Sequence, residues 1–195
     1  MSASSSRRFR TAKRIQAKAV ELAIRDGLTN TTTEAIARES GISTRTFFNY
    51  YPYKEAAIMG PPPDYPAEAA EQFVAAKGRL IDDLNVFIAA HLRRFLDERQ
   101  MVKHIFELAL TDAKLIALRN SAILARRSQM HELLARRMPS VDEVQIEILS
   151  SAIIAATNKA TKDWANGQID DFTAAALKNI QAILPSADLL NKQSR

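Results

Sequence analysis

Apolar side chains recur along this chain at helical spacing. Ile15, Ala19, Leu22 and Ala23 fall at i, i+4, i+7 and i+8, so they share one face. A first helix is predicted from about Arg10 to Arg25, ended by Asp26-Gly27, where Gly27 can take the left-handed conformation. Thr31-Thr32-Thr33-Glu34 offers N-cap hydroxyls, with Glu34 three residues after Thr31 as in a capping box. A short helix then runs to about Ser40, with Ile36 and Ala37 facing inward, and Gly41 closes it. Ser43 caps a third helix reaching about Tyr51, which Pro52 stops, and Lys54 to about Met59 forms a fourth. Gly60-Pro61-Pro62-Pro63-Asp64-Tyr65-Pro66 cannot be helical throughout and reads as a linker. Beyond it, helices are predicted at about 67–78, 79–98, 101–110, 112–137, 141–165 and 169–184. Leu84, Phe87, Ile88, His91, Leu92 and Phe95 form one stripe at helical spacing.

The fold class that follows is all-α. Its expected organisation is a basic, disordered arm at 1–9, a first helical module at 10–59 and the linker at 60–66. A second helical domain at 67–187 and a frayed tail at 188–195 complete it. Composition agrees: apolar residues make up 47 % of the chain, there are only 5 Gly, and Ala and Leu are abundant. No Cys is present, which excludes disulfides, thiolate metal sites and thiol catalysis and suits the cytoplasm. The first residues lack the apolar stretch of a secretory signal, and no apolar run approaches the length needed to cross a bilayer, so no membrane association is expected. His91, His104 and His131 are not spaced as a metal site. No Gly-rich phosphate loop or nucleophile–base arrangement is present, so neither a cofactor nor an enzyme is expected.

Charge changes the picture more by its position than by its size. Residues 1–60 hold ten Lys or Arg and five acids, whereas basic and acidic residues cancel over the other 135. The whole net charge of +5 therefore lies in the first third. A polyanion partner, or a merely solvated basic surface, accounts for it equally.

The segment around Gly41-Ile42-Ser43 decides between them. Gly supplies a sharp turn, Ile42 plugs the space between two short helices, and Ser43 caps the second, whose first residues must reach base edges. Phe47 and Tyr51 stand one turn apart and should pack inward, leaving Arg45, Thr46 and Asn49 to point elsewhere. Arg can read guanine and Asn adenine, each with two hydrogen bonds in the major groove. The stretch TTTEAIARESGISTRTFFNYYPYKEAAI, Thr31 to Ile58, resembles the TetR family of bacterial transcriptional regulators, and Arg10 to Gly27 fits the same pattern.

The resemblance implies a repressor that binds a double-stranded DNA operator as a homodimer and is released by a small molecule. It places Thr32 and Thr33 at the start of a phosphate-contacting helix. Ser43, Thr44, Arg45, Thr46, Asn49 and Tyr50 then lie along the recognition helix, and Lys54 meets phosphate. Phe48 departs from the family, which commonly has a phosphate-binding Tyr there; Phe48 contacts a thymine methyl or sugar, or packs, and Tyr50 can supply the hydroxyl. Arg7, Arg8 and Arg10 read either as an idle tail or as an arm on DNA, and Arg38 as a solvated partner of Glu34.

For the regulatory domain the resemblance implies dimerisation through the last two helices, with Leu149, Ala152, Ile153, Ala156, Ala160, Ala176, Leu177 and Ile180 at the interface; the same faces could instead complete the monomer core. An apolar or amphipathic effector would lie among Phe87, His91, Phe95, Phe106, Leu118 and Trp164. The competing reading is a DNA-binding regulator without a small-molecule effector, controlled by a protein partner or by abundance. The Pro run should end the fourth helix, so that coupling passes through contacts of the first and fourth helices rather than through one long rod.

Overall fold

The computed structural model describes residues 3–61 and 64–192, and every regular element among them is helical. The chain divides into two compact units, one of residues Met1–Pro63 with Gln100–Ala122, the other of residues Asp64–Arg99 with Ile123–Arg195.

In the first unit, α1 (Ala3–Asp26), α2 (Thr33–Glu39), α3 (Thr44–Phe48) and α4 (Lys54–Met59) enclose a core with Ile15, Ile36, Phe47 and Ile58 fully buried. Each such side chain contributes roughly 1.5–3 kcal/mol of burial. Residues 100–122, expected among the regulatory helices, join this core instead. Ala109 and Leu115 are buried in it, and Met101, Ile105, Leu108 and Leu118 pack on its edge.

Residues 3–9 are helical and continuous with α1, where a disordered arm was expected; Met1 and Ser2 lie outside the described residues. No Gly or Pro interrupts this stretch, and Arg8 ties it down. Its guanidinium donates to the Asn49 carbonyl at 3.0 Å and lies 4.9 Å from the centre of the Tyr50 ring.

Helix α4 ends at Gly60, whose φ of +76° suits glycine. A second reason for glycine there is spatial. The buried amide of Gln16 donates to the carbonyls of Ile58 and Met59 at 3.2 and 3.1 Å, and a Cβ on Gly60 would meet its nitrogen at 2.1 Å. Thus α4 stops before the Pro run, and α5 (Ala67–Ala75) begins after it. Pro62 and Pro63 of the expected linker lie outside the described residues.

The second unit begins with α5 and α6 (Leu80–Leu92), the latter continued by a 3-10 segment at Arg93–Glu98 rather than by α-helix. Helix α7 (Arg99–Leu108) leads into α8 (Ala113–Arg137), which gives its first ten residues to the first unit and the remainder to the second. Then come α9 (Glu143–Ala165), α10 (Phe172–Gln181) and α11 (Ile183–Ala187). Helices α9 and α10 pack tightly, with Trp164 stacked on Phe172 at 4.7 Å. Arg99 donates to the carbonyl oxygens of Trp164 and Ile169, fastening the end of α9. A 3-10 turn at Asp188–Asn191 extends the last helix; residues 193–195 of the expected tail are not described. No described helix is long and apolar enough to cross a membrane.

Candidate nucleic-acid interface

The turn between α2 and α3 is built as its sequence demands. Gly41 has φ +65°, and Ile42 packs half-buried on the core. The Ser43 hydroxyl accepts the Thr46 amide at 3.1 Å and shares a 2.8 Å hydrogen bond with the Thr46 hydroxyl. This double tie fixes the first turn of α3. Phe47 and Tyr51 point into the core, and the Tyr51 hydroxyl donates to the Ala12 carbonyl at 3.1 Å. That anchors α3 against α1.

The opposite side of α3 is left to solvent. Arg45 and Asn49 are exposed, Thr44 and Thr46 half-buried, and neither the Arg45 guanidinium nor the Asn49 amide has an intramolecular partner among the described residues. Phe48 is 52 % exposed, so it belongs to the surface rather than the core. Tyr50 is half-buried beneath Arg8.

At the start of α2 the cap is Thr32, whose hydroxyl accepts the Ala35 amide at 3.1 Å. The capping box expected from Thr31 does not form. Thr31 is buried and donates to the Gly27 carbonyl at 2.9 Å, closing the preceding turn. Glu34 instead accepts from the Thr33 hydroxyl at 3.2 Å, and its expected pair with Arg38 is absent. Lys54 has a task that sequence reasoning missed. Its ammonium donates to the carbonyls of Leu28 and Thr31 at 2.7 and 2.9 Å, so two of its three N–H groups are committed to the fold.

The α1 residues Arg7, Arg10, Thr11 and Arg14 line a basic depression of about 460 Å³. Their spacing of three and four residues puts them on one face. In the same unit, Lys114 of α8 pairs with Glu55 of α4 at 3.0 Å and lies 3.6 Å from the centre of the Tyr53 ring.

The residues expected around an effector separate. In the second unit the His91 ring lies 5.2 Å from that of Phe95 and 4.7 Å from that of Tyr65, and Tyr65 lies 4.8 Å from Phe87. Trp164 is buried against Phe172. Phe106 and Leu118 belong to the first unit, where Arg119 covers the Phe106 ring and Leu118 packs on the core. Of the residues expected at the dimer interface, Ile153, Ala160, Ala176 and Ile180 are buried within the chain itself. Leu149, Ala152, Ala156 and Leu177 remain half-exposed. Among the described residues no cluster of His, Cys, Asp or Glu is arranged to hold a metal.

Residues 15–56 match the model of the bacterial regulatory proteins of the tetR family. Comparison with curated proteins gave no match. Among solved structures, FadR from Thermus thermophilus, a TetR-family transcriptional repressor in complex with lauroyl-CoA, aligns with a TM-score of 0.58 at 24 % identity, covering 89 % of this chain and 93 % of that one. The fatty acid degradation regulator FadR from Bacillus halodurans aligns with a TM-score of 0.58 at 15 % identity, covering 89 % and 94 %. A TetR-like regulator from Rhodococcus aligns at 0.52 with 19 % identity, covering 93 % and 97 %. At these identities the likeness is one of fold.

Proposed function

We infer the function from one premise: through the module at residues 15–56 this chain belongs to the tetR family of bacterial regulatory proteins, and it is a DNA-binding transcriptional regulator. The finer reading is a repressor that grips a palindromic operator as a homodimer and lets go when the second unit takes up an amphipathic small molecule. The observation that carries the DNA part is α3 itself, a doubly capped helix with its aromatics buried and Arg45, Thr46 and Asn49 turned outward. That is the chemistry of base readout in a major groove. The basic face of Arg7, Arg10 and Arg14 suits phosphate, and the start of α2 at Thr32 and Thr33 supports a second approach to the backbone. Thr44, Ser43 and Tyr50 support the same surface, and Lys54 has one N–H left for a phosphate.

The effector part is supported by the aromatic cluster of the second unit and by the lauroyl-CoA complex of the Thermus protein. Selection of bound sequences from a random DNA pool at two salt concentrations tests the reading. An enriched palindrome is expected; salt-sensitive binding with no enriched motif overturns sequence-specific control.

A further inference from the structure

Four arginines lie on the part of α8 that belongs to the second unit, and three of them have a carboxylate. Arg127 meets Glu147 at 3.4 Å, Arg136 meets Glu71 at 2.7 Å, and Arg137 meets Asp83 at 2.5 Å. Arg126 has none among the described residues, although burial holds its guanidinium below its ordinary pKa. The carboxylate of Asp64, the acid beside Tyr65 in sequence, accepts from the Gln129 amide at 3.2 Å, and its carbonyl accepts from Arg94 at 2.7 Å. An unpaired cation in such surroundings is costly, and proteins keep one where something else supplies the negative charge.

The surroundings of Arg126 are equally unfinished. His91 is only 3 % exposed, and its Nδ1 has no hydrogen-bond partner. Burial and the charges of Arg126 and Arg94 push it down to about 3, so the imidazole is neutral and its ring nitrogen is free to bond a ligand. Gln129, one turn after Arg126 on the same face of α8, holds Asp64, the neighbour of Tyr65, so Arg126 stands near that phenol and its charge reaches it. Around these polar groups stand apolar rings: Phe87 against Tyr65, Phe95 against His91, and Phe73 stacked on Phe87 at 5.1 Å.

We propose that Arg126, His91 and Tyr65 form the anion-holding end of an effector site, and that its ligand is an amphipathic organic carboxylate whose apolar body lies against Phe87 and Phe95. The guanidinium pairs with the carboxylate, the free His91 nitrogen bonds it, and the Tyr65 hydroxyl completes the set. The proposal rests on the effector reading above and adds the chemical class of the ligand.

Thermal melting and titration calorimetry of the full chain with laurate, dodecanol and lauroyl-CoA test it, each against wild type, Arg126→Gln and Arg126→Met. Laurate should bind the wild type at least about 10-fold more tightly than dodecanol, and both substitutions should erase that preference. Equal affinity for laurate and dodecanol, or a preference that survives Arg126→Gln, overturns the carboxylate site but leaves the effector reading standing. Tight lauroyl-CoA binding, with neither its affinity nor that of laurate moved by the two substitutions, likewise overturns it, because the negative charge recognised would then lie elsewhere. If none of the three probes binds the wild type, the effector reading in its acyl form falls as well. The Met variant guards against loss of folding, since it removes an unpaired cation at similar volume and should melt no lower than wild type.

Discussion

The Lys54 ammonium lies 2.7 Å from the carbonyl oxygen of Leu28, which places a residue expected on phosphate inside the frame of its own module. With the second bond to Thr31, it joins the start of α4 to the turn that launches α2. Lys54→Ala should therefore cost stability first, about 1.5–3 kcal/mol for a charge-assisted hydrogen-bonded contact. Denaturant unfolding checks the cost. If stability is unchanged and only the salt dependence of DNA binding falls, Lys54 is a phosphate ligand after all.

Arg45 is the side chain of α3 with the most freedom to read a base, exposed and unpaired within its unit. Arg45→Ala should weaken operator binding by about 1–3 kcal/mol and relax specificity at one position of each half-site. Thermal stability should not move, since no buried contact is lost. Equal losses on operator and random DNA would demote Arg45 to a backbone contact.

Arg8 holds the C-terminal end of α3 through the Asn49 carbonyl and the Tyr50 ring. A cation at that end also opposes the negative pole of the short helix. Arg8→Ala should lower operator affinity by roughly 1–2 kcal/mol through a looser recognition helix, with faster amide exchange at Tyr50 and Tyr51. Unchanged exchange with reduced affinity would instead make Arg8 a direct DNA contact.

Much of this was legible in the sequence, and the exceptions share a cause. Helix positions followed from apolar periodicity, and the Ser43 cap and the inward Phe47 and Tyr51 from residue type and spacing. What escaped depends on partners distant in sequence. Lys54 reads as a phosphate contact until Leu28 comes beside it, and nothing in the sequence marks Gln16 until α4 lays its last carbonyls against the amide. The split of the expected pocket residues has the same origin, since Phe106 and Leu118 follow α7 and the start of α8 into the first unit. Arg126 sits in an Arg-Arg pair, and nothing local distinguishes it from Arg127; only the position of Glu147 does. At the chain's start, the basic residues that read as a loose arm continue a helix because Arg8 has a carbonyl to hold.

His91 gives the fold a pH signature. Its ordinary value is 6.5 and the folded value about 3. Between those limits the unfolded chain takes up a proton that the folded chain refuses, so stability is complete above pH 6.5 and declines as pH falls toward 3. One proton corresponds to a slope of up to about 1.4 kcal/mol per pH unit. Carboxylates such as Glu71, held low by Arg136, act in the same direction, so the test is a difference. His91→Phe should show a shallower loss of stability from pH 6 to 4 than wild type in urea unfolding. Parallel curves would mean that residue 91 takes up its proton equally in both states.

The dimer interface can be located by contrasting two positions on α9. Ile153 is fully buried within the chain, whereas Ile148 is 63 % exposed, close to Val144 on the same face. A second copy can bury only what the first leaves open, so any contact of α9 with its copy must use the exposed side. Ile148→Asp should then give a folded monomer, with normal helix content, a halved sedimentation mass and operator affinity lowered by at least about 100-fold because two half-sites are no longer gripped together. Ile153→Asp should instead lower stability by about 3 kcal/mol or more, since it buries an unpaired charge in the core of the second unit. If Ile148→Asp leaves the mass of a dimer intact, the copies meet through another face, and the operator half-site spacing must be explained from there.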